Sequence, residues 1–208
     1  MPGSRSRIVI ASVVLACAIA YIALTISRPE PPTFAPTPME PRLADGRLVG
    51  PLVYTVDARD AARWQYFSFA QGSIVADPRP FEWDLAFRRF QVVVNGGRGF
   101  AGLGGIQDLG VISFDSLVVL PEEGYVGTEV SQSDSLAAPL EDWYEYSYFS
   151  HLLNPRPAVY AVRTGDGRYA KVRFHGYYCP GAQPGCVTFE YVYQGGGGRE
   201  LTAGVGGP

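Results

Sequence analysis

Apolar residues fall along this chain in three rhythms, and each predicts a different kind of element. From Ile8 to Ile26 they run without a charge, a Pro or a Gly. That predicts one helix long enough to cross a hydrocarbon core of roughly 30 Å. From Arg28 to Arg42, in RPEPPTFAPTPMEPR, Pro recurs at nearly every second or third position. This predicts an extended spacer of about 3.1 Å per residue, holding the C-terminal remainder of the chain up to roughly 40 Å from a bilayer or lying along a neighbouring surface. From Leu48 onward large apolar and polar residues alternate over short stretches, the period of strands with one buried face.

Within that last part the pattern predicts several strands. Leu52 to Val56 is the first, followed by a capped helical turn at Asp57–Asp60. Trp64–Phe69 and Ser73–Val75 form a hairpin around Gln71-Gly72. Phe81, Trp83, Leu85 and Phe87 share one face of a strand, and the phase then slips to Phe90, Val92 and Val94. A bulge at Arg88-Arg89 would keep the core face inward. GGRGFAGLGG after Asn95 reads as too flexible for a regular element, Val111–Leu120 as a strand pair, and Pro121–Pro139 as an irregular excursion. Tyr144, Tyr146 and Tyr148 alternate again. Ala158–Arg163 and Arg168–Tyr178 flank Thr164-Gly-Asp-Gly167, a hairpin turn, and Thr188–Gln194 returns to complete a meander. The Gly-rich end from Gly195 reads as a mobile tail.

The organisation expected is therefore a cytoplasmic N-terminus over 1–7, a transmembrane helix over 8–27, a Pro-rich linker over 28–47, a periplasmic β domain over 48–194 and a tail over 195–208. Arg5 and Arg7 before the apolar run place the N-terminus in the cytoplasm of a single-pass inner-membrane protein. Cleavage after Ala18-Ile19-Ala20, or acylation of Cys17, would each leave an apolar stretch at the new terminus. A retained anchor is the better reading. Ser12, Ala16 and Ala20 recur every four residues and would let a second membrane helix approach closely.

Composition narrows the function. Thirteen Tyr, eleven Phe and twenty-five Gly favour strands and turns over helices. A net charge of −3 with no basic cluster argues against a nucleic-acid partner. Cys179 and Cys186 bracket the turn-rich PGAQPG, and in an oxidising compartment they should form a disulfide. A metal site would need more ligands than the nearby His175. Gly97-Arg-Gly99-Phe-Ala-Gly102 matches a dinucleotide fingerprint, but no helix follows to face a pyrophosphate. No nucleophile elbow and no His-Glu-x-x-His occurs, so no catalytic residue is assigned and an enzyme is not expected.

Several motifs together carry a resemblance. Trp64-Gln-Tyr66-Phe-Ser-Phe69, Trp83-Asp-Leu-Ala-Phe87 and Asn95-Gly-Gly97 come first. Trp143-Tyr144 with His151 and Pro155, Tyr160-Ala-Val-Arg-Thr164 and Asp166-Gly-Arg-Tyr-Ala-Lys171 are next, then Tyr177-Tyr178 and Thr188-Phe-Glu-Tyr-Val-Tyr-Gln194. In that order, over residues 52 to 194, the chain resembles the HmuY-like haem-binding proteins. The resemblance implies an all-β, antiparallel sandwich-like domain. It also implies a haem whose iron is gripped by two side chains, for which His151 and His175 are the candidates. By parity with Lys171 and Arg173, His175 should point to solvent.

Two functions are compatible with these features. The first is a non-catalytic, membrane-anchored accessory subunit without a cofactor, whose β domain docks on a larger inner-membrane complex. A photosynthetic reaction centre with its antenna, or a respiratory complex, is the natural host. The alternative is a membrane-tethered haem carrier or sensor using His151 and His175.

Overall fold

The computed structural model describes residues 4–26, 29–130, 136–137 and 140–202. Among the described residues one helix, α1 (Ser4–Ile26), precedes thirteen strands. These are β1 (Leu48–Asp57), β2 (Gln65–Ser68), β3 (Ser73–Val75), β4 (Leu85–Arg88), β5 (Gln91–Val94), β6 (Gly105–Asp108) and β7 (Glu129–Val130). After them come β8 (Leu136–Ala137), β9 (Tyr144–Tyr146), β10 (Leu153–Pro155), β11 (Val159–Arg163), β12 (Tyr169–Cys179) and β13 (Gln183–Gln194). A five-stranded sheet in the order β1-β13-β12-β11-β6 and a four-stranded sheet in the order β3-β2-β4-β5 carry the core. All their pairings are antiparallel.

The two sheets pack face to face because alternate residues of each are large and apolar. Tyr54, Val172, Phe174, Phe189 and Tyr191 from one sheet meet Phe67, Leu85, Phe87, Val92 and Val94 from the other in a single buried cluster. Asp84 ties the layers together at one end. Its carboxylate accepts from the Phe69 amide at 2.7 Å and from the Gly165 amide at 2.9 Å, in the turn between β11 and β12. A second cluster lies outside the five-stranded sheet, where Phe114, Leu120 and Leu201 cover Val159, Ala161 and Val192.

The C-terminal meander forms as its sequence predicts, with Tyr169 opposite Gln194 and Val172 opposite Tyr191. Cys179 and Cys186 are bridged, with Cα atoms 4.9 Å apart. Replacing Cys186 with Ser should lower stability by about 2.5 kcal/mol on the chain-entropy scale, read as a fall in the urea midpoint. An unchanged midpoint would show that the hairpin alone holds this end closed.

Elsewhere the chain departs from its pattern, for identifiable reasons. Arg88-Arg89 is not a bulge. Arg88 pairs with Gln91 across a tight turn in which Arg89 takes φ 55°, so the phase slips because the chain reverses. Phe81 is exposed and precedes the strand, and Trp83 faces a third cluster with Ala86 and Val93. Asp57 forms an ion pair with Arg59 at 2.6 Å, with no helical turn after it. Val111–Leu120 forms no strand pair: Phe114, Leu117 and Leu120 pack on the outside of the sheet, while Val111, Ile112, Val118 and Val119 are exposed. Instead β6 begins at the last residue of the glycine stretch, at Gly105. The tail is docked as far as it is described: the Leu201 amide donates to the Val118 carbonyl at 2.8 Å, and the Leu201 side chain is buried. Residues 203–208 lie outside the described residues.

The N-terminal part differs most. Among the described residues no helix is long and apolar enough to cross a membrane, so the expected span over 8–27 is not supported. The N-terminal helix is α1 (Ser4–Ile26). Its described side chains are all exposed. The Pro-rich segment is extended as expected but does not stand away from the domain. Thr33 pairs with Tyr178, and the Thr37 amide donates to the Thr55 carbonyl at 2.9 Å. The Ala44 amide donates to the Ala70 carbonyl, also at 2.9 Å. Pro removes donors at many positions, and among the remaining amides those of Phe34, Thr37, Arg42 and Ala44 find partners on the domain. The segment is a strap rather than a spacer.

Candidate functional site

The β9–β10 connection turns sharply. The His151 amide donates to the Ser147 carbonyl at 2.7 Å and the Ser147 amide to the Leu152 carbonyl at 2.9 Å, with His151 at φ 57°. This geometry pushes the His151 imidazole to the rim of a cleft of about 480 Å³. Tyr146, Tyr177 and Tyr178 line it with aromatic rings, Leu152 and Leu153 with aliphatic groups, and Pro29, Glu30 and Pro31 come from the strap. The volume falls within the ~300–1,000 Å³ of small-ligand sites, which are likewise mostly apolar with a few placed polar groups.

Three polar features order this cleft. The Tyr146 hydroxyl lies 2.5 Å from His151 Nδ1. When Nδ1–H donates to that hydroxyl, Nε2 carries a lone pair, the arrangement usual for a metal-ligating histidine. Tyr178 is anchored because its hydroxyl accepts from the Leu153 amide at 2.8 Å. Burial raises the Tyr177 phenol above its ordinary value while the nearby Arg89 guanidinium opposes that shift, so Tyr177 stays neutral at physiological pH. Arg89 also lines the cleft and is held by the Arg59 and Pro184 carbonyls at 3.1 and 3.3 Å.

His175 is placed elsewhere. On β12 it lies beside Glu190 of β13, with Nε2 3.1 Å from a Glu190 carboxylate oxygen that also accepts from Arg173 at 2.6 Å. Burial alone would raise the Glu190 carboxyl. The hydrogen bonds from Arg173 and His175 more than offset it, so the group sits below the usual range and stays ionised. The side chain of His175 is one-third exposed rather than free in solvent. His175 does not line the His151 cleft, and no cluster of three metal-capable side chains occurs among the described residues.

A smaller cavity of about 330 Å³ beside β5 offers Glu141 and Asp142 but no histidine. The glycine stretch makes a close turn rather than a nucleotide cradle: Gly104 donates to the Asn95 carbonyl at 2.8 Å, and Asn95 Nδ2 donates to Pro80 and Trp83 carbonyls. A Cβ at Gly96 would strike the Gly104 carbonyl. Ser12, Ala16 and Ala20 are exposed along α1.

For a haem, implied by the resemblance, the donor set fits in part. One imidazole nitrogen can be aimed into an apolar, aromatic cleft, and Arg89 supplies a cation for an acidic edge. The cleft holds no second histidine.

Comparison with known proteins bears on the fold and the family. Solved structures share the fold, among them the following three. The apo HmuY analogue of Tannerella forsythia matches with a TM-score of 0.58 at 18% identity, over 71% of this chain and 97% of that one. A candidate HmuY-like heme binding protein of Bacteroides vulgatus matches with 0.54 at 22%, over 74% and 96%. A candidate lipoprotein of Bacteroides fragilis matches with 0.53 at 22%, over 68% and 90%. No curated protein matches the chain. The HmuY protein family model matches residues 60–191, from just after β1 into β13, and the chain belongs to the HmuY family.

Proposed function

We propose that this protein is a non-catalytic haem-binding protein of the bacterial cell envelope, held to a lipid surface through α1, with His151 as its iron ligand. The observation that carries the reading is the His151 imidazole, steadied by Tyr146 at the rim of an aromatic cleft. The family and the heme binding protein among the structural neighbours support it. Haem, when bound, supplies the iron and the visible absorption. The chain supplies one nitrogen from His151, aromatic walls that exclude water, and Arg89 to meet a carboxylate. The disulfide fits an oxidising compartment. A helix with an apolar run on every side, its described side chains exposed, needs lipid or protein to cover it, and one structural neighbour is described as a candidate lipoprotein.

Haem added to the whole chain in mild detergent should give a sharp Soret band. In His151→Ala the affinity should fall at least tenfold, about 1.4 kcal/mol, while His175→Ala should stay within twofold. A titration with no spectral change would remove the proposal.

The accessory-subunit reading draws on a different observation, the small-residue face of Ser12, Ala16 and Ala20 exposed on α1. It expects co-purification with other inner-membrane proteins, photosynthetic or respiratory, weakened by Ala16→Ile and Ala20→Ile. Recovery of a lone monomer would reject it.

A further inference from the structure

The two most exposed large apolar side chains among the described residues are neighbours: Tyr148, 82% exposed, and Phe149, 87% exposed. They form the tip of the β9–β10 connection. This tip is not loose, because the Ser147–Leu152 and His151–Ser147 backbone bonds and the Ser150 amide donating to Ser147 Oγ close it from beneath. The Tyr148 ring packs edge-on against Tyr146, with centroids 5.1 Å apart. Two aromatic rings are thus held out from an ordered support.

The strap fixes which end of the domain they occupy. The Phe34 amide donates to the Tyr178 carbonyl at 2.8 Å, and the Phe34 ring lies so close over Gly176 that no Cβ fits there. Upstream, Pro29 and Pro31 line the same cleft as Tyr146 and His151. The chain leaves α1 at Ile26 and reaches this cleft at Pro29, a covalent reach of at most roughly 11 Å. The aromatic tip and the apolar helix therefore emerge at one end of the domain. Tyr and other aromatic rings are favoured at the boundary between headgroups and acyl chains.

We infer that Tyr148 and Phe149 form a second lipid contact, seating the domain on the bilayer that covers α1 and holding the His151 cleft against the headgroups. This rests on the lipid attachment proposed above for α1. A protein-binding tip would need no such coincidence with the helix, so lipid is the occupant the geometry favours.

The test uses the full chain reconstituted with phosphatidylcholine–phosphatidylglycerol vesicles, with and without brominated acyl chains. Phe149→Trp is compared with Arg98→Trp in the glycine stretch. That stretch meets Gly165, at the far end of β12, about 30 Å along the strand from Tyr178. Both variants should float with the vesicles. Brominated lipid should reduce the emission added by Phe149→Trp at least twofold and leave that of Arg98→Trp within a tenth of its value. Flotation with Phe149→Trp unquenched would overturn the tip contact, whether the tip then faces water or a protein, and leave the helix attachment standing. Failure of the wild-type chain to float would overturn both.

Discussion

Replacing Phe189 with Ala should cost about 4 kcal/mol of folding stability, more than any surface change in the molecule. Phe189 is fully buried on β13. Its ring stacks on Phe87 at 5.5 Å and stands edge-on to Phe67 at 5.1 Å and to Phe174 at 6.2 Å. It also contacts Tyr54 and Tyr191. Those neighbours belong to both sheets, so neither layer can collapse into the void without parting from the other. Removing a ring of this size leaves a cavity in addition to the lost transfer free energy. Val111→Ala, at a position 74% exposed, should stay within about 0.5 kcal/mol. Urea midpoints of the two variants check this. Equal midpoints would show that the sheets are not held together through Phe189.

The second large effect is a dependence of stability on pH set by Asp84. Its carboxyl is buried, and desolvation pushes it up to about 7 from an ordinary 3.8, although the Phe69 and Gly165 amides pull the other way. Between these values the folded chain binds a proton that the unfolded chain has released. Stability must then fall as pH rises from about 4 to about 7, and the loss is complete above 7. The full change is on the order of 4 kcal/mol. Asp57, Asp60 and Glu190 are shifted downward. Their contributions are present above the ordinary carboxylate range and are lost only as pH falls below it. They therefore do not drive a difference between pH 5 and pH 8, and Asp84→Asn shows how much of that difference belongs to Asp84. The wild type should have the higher urea midpoint at pH 5. In Asp84→Asn the difference should largely vanish, because no charge remains to be formed in the interior. A wild-type midpoint that is higher at pH 8 would contradict the assignment.

How far the sequence reveals this molecule depends on which interactions are local. The meander of β11, β12 and β13 is legible because alternation and the Thr164–Gly167 turn act within a few residues. The β4–β5 reversal is misread because a bulge and a two-residue turn shift the hydrophobic phase alike, and only the Arg88–Gln91 pairing separates them. Lys171 has the parity of a solvent-facing residue, yet it is buried with its ammonium donating to the Leu117 carbonyl at 3.0 Å. The segment covering it, within Val111–Leu120, reads as a strand pair and instead lies across the sheet. Asp84 likewise falls between Trp83 and Leu85, where alternation turns it outward, but two amides distant in sequence draw it in. Of the candidate site, His151 is legible through the family resemblance alone. The cleft around it is assembled from the strap, the β9–β10 connection and the end of β12, which no local pattern brings together. His175 has the right residue type, but its surroundings bind it to Glu190.

That the chain holds only two histidines makes the central claim directly measurable. In protein labelled with nitrogen-15 in its histidine rings, diamagnetic gallium protoporphyrin should move the Nε2 resonance of His151 and leave both ring nitrogens of His175 in place. Movement of His175 instead, or of neither ring at saturating porphyrin, would contradict the assignment of the cleft.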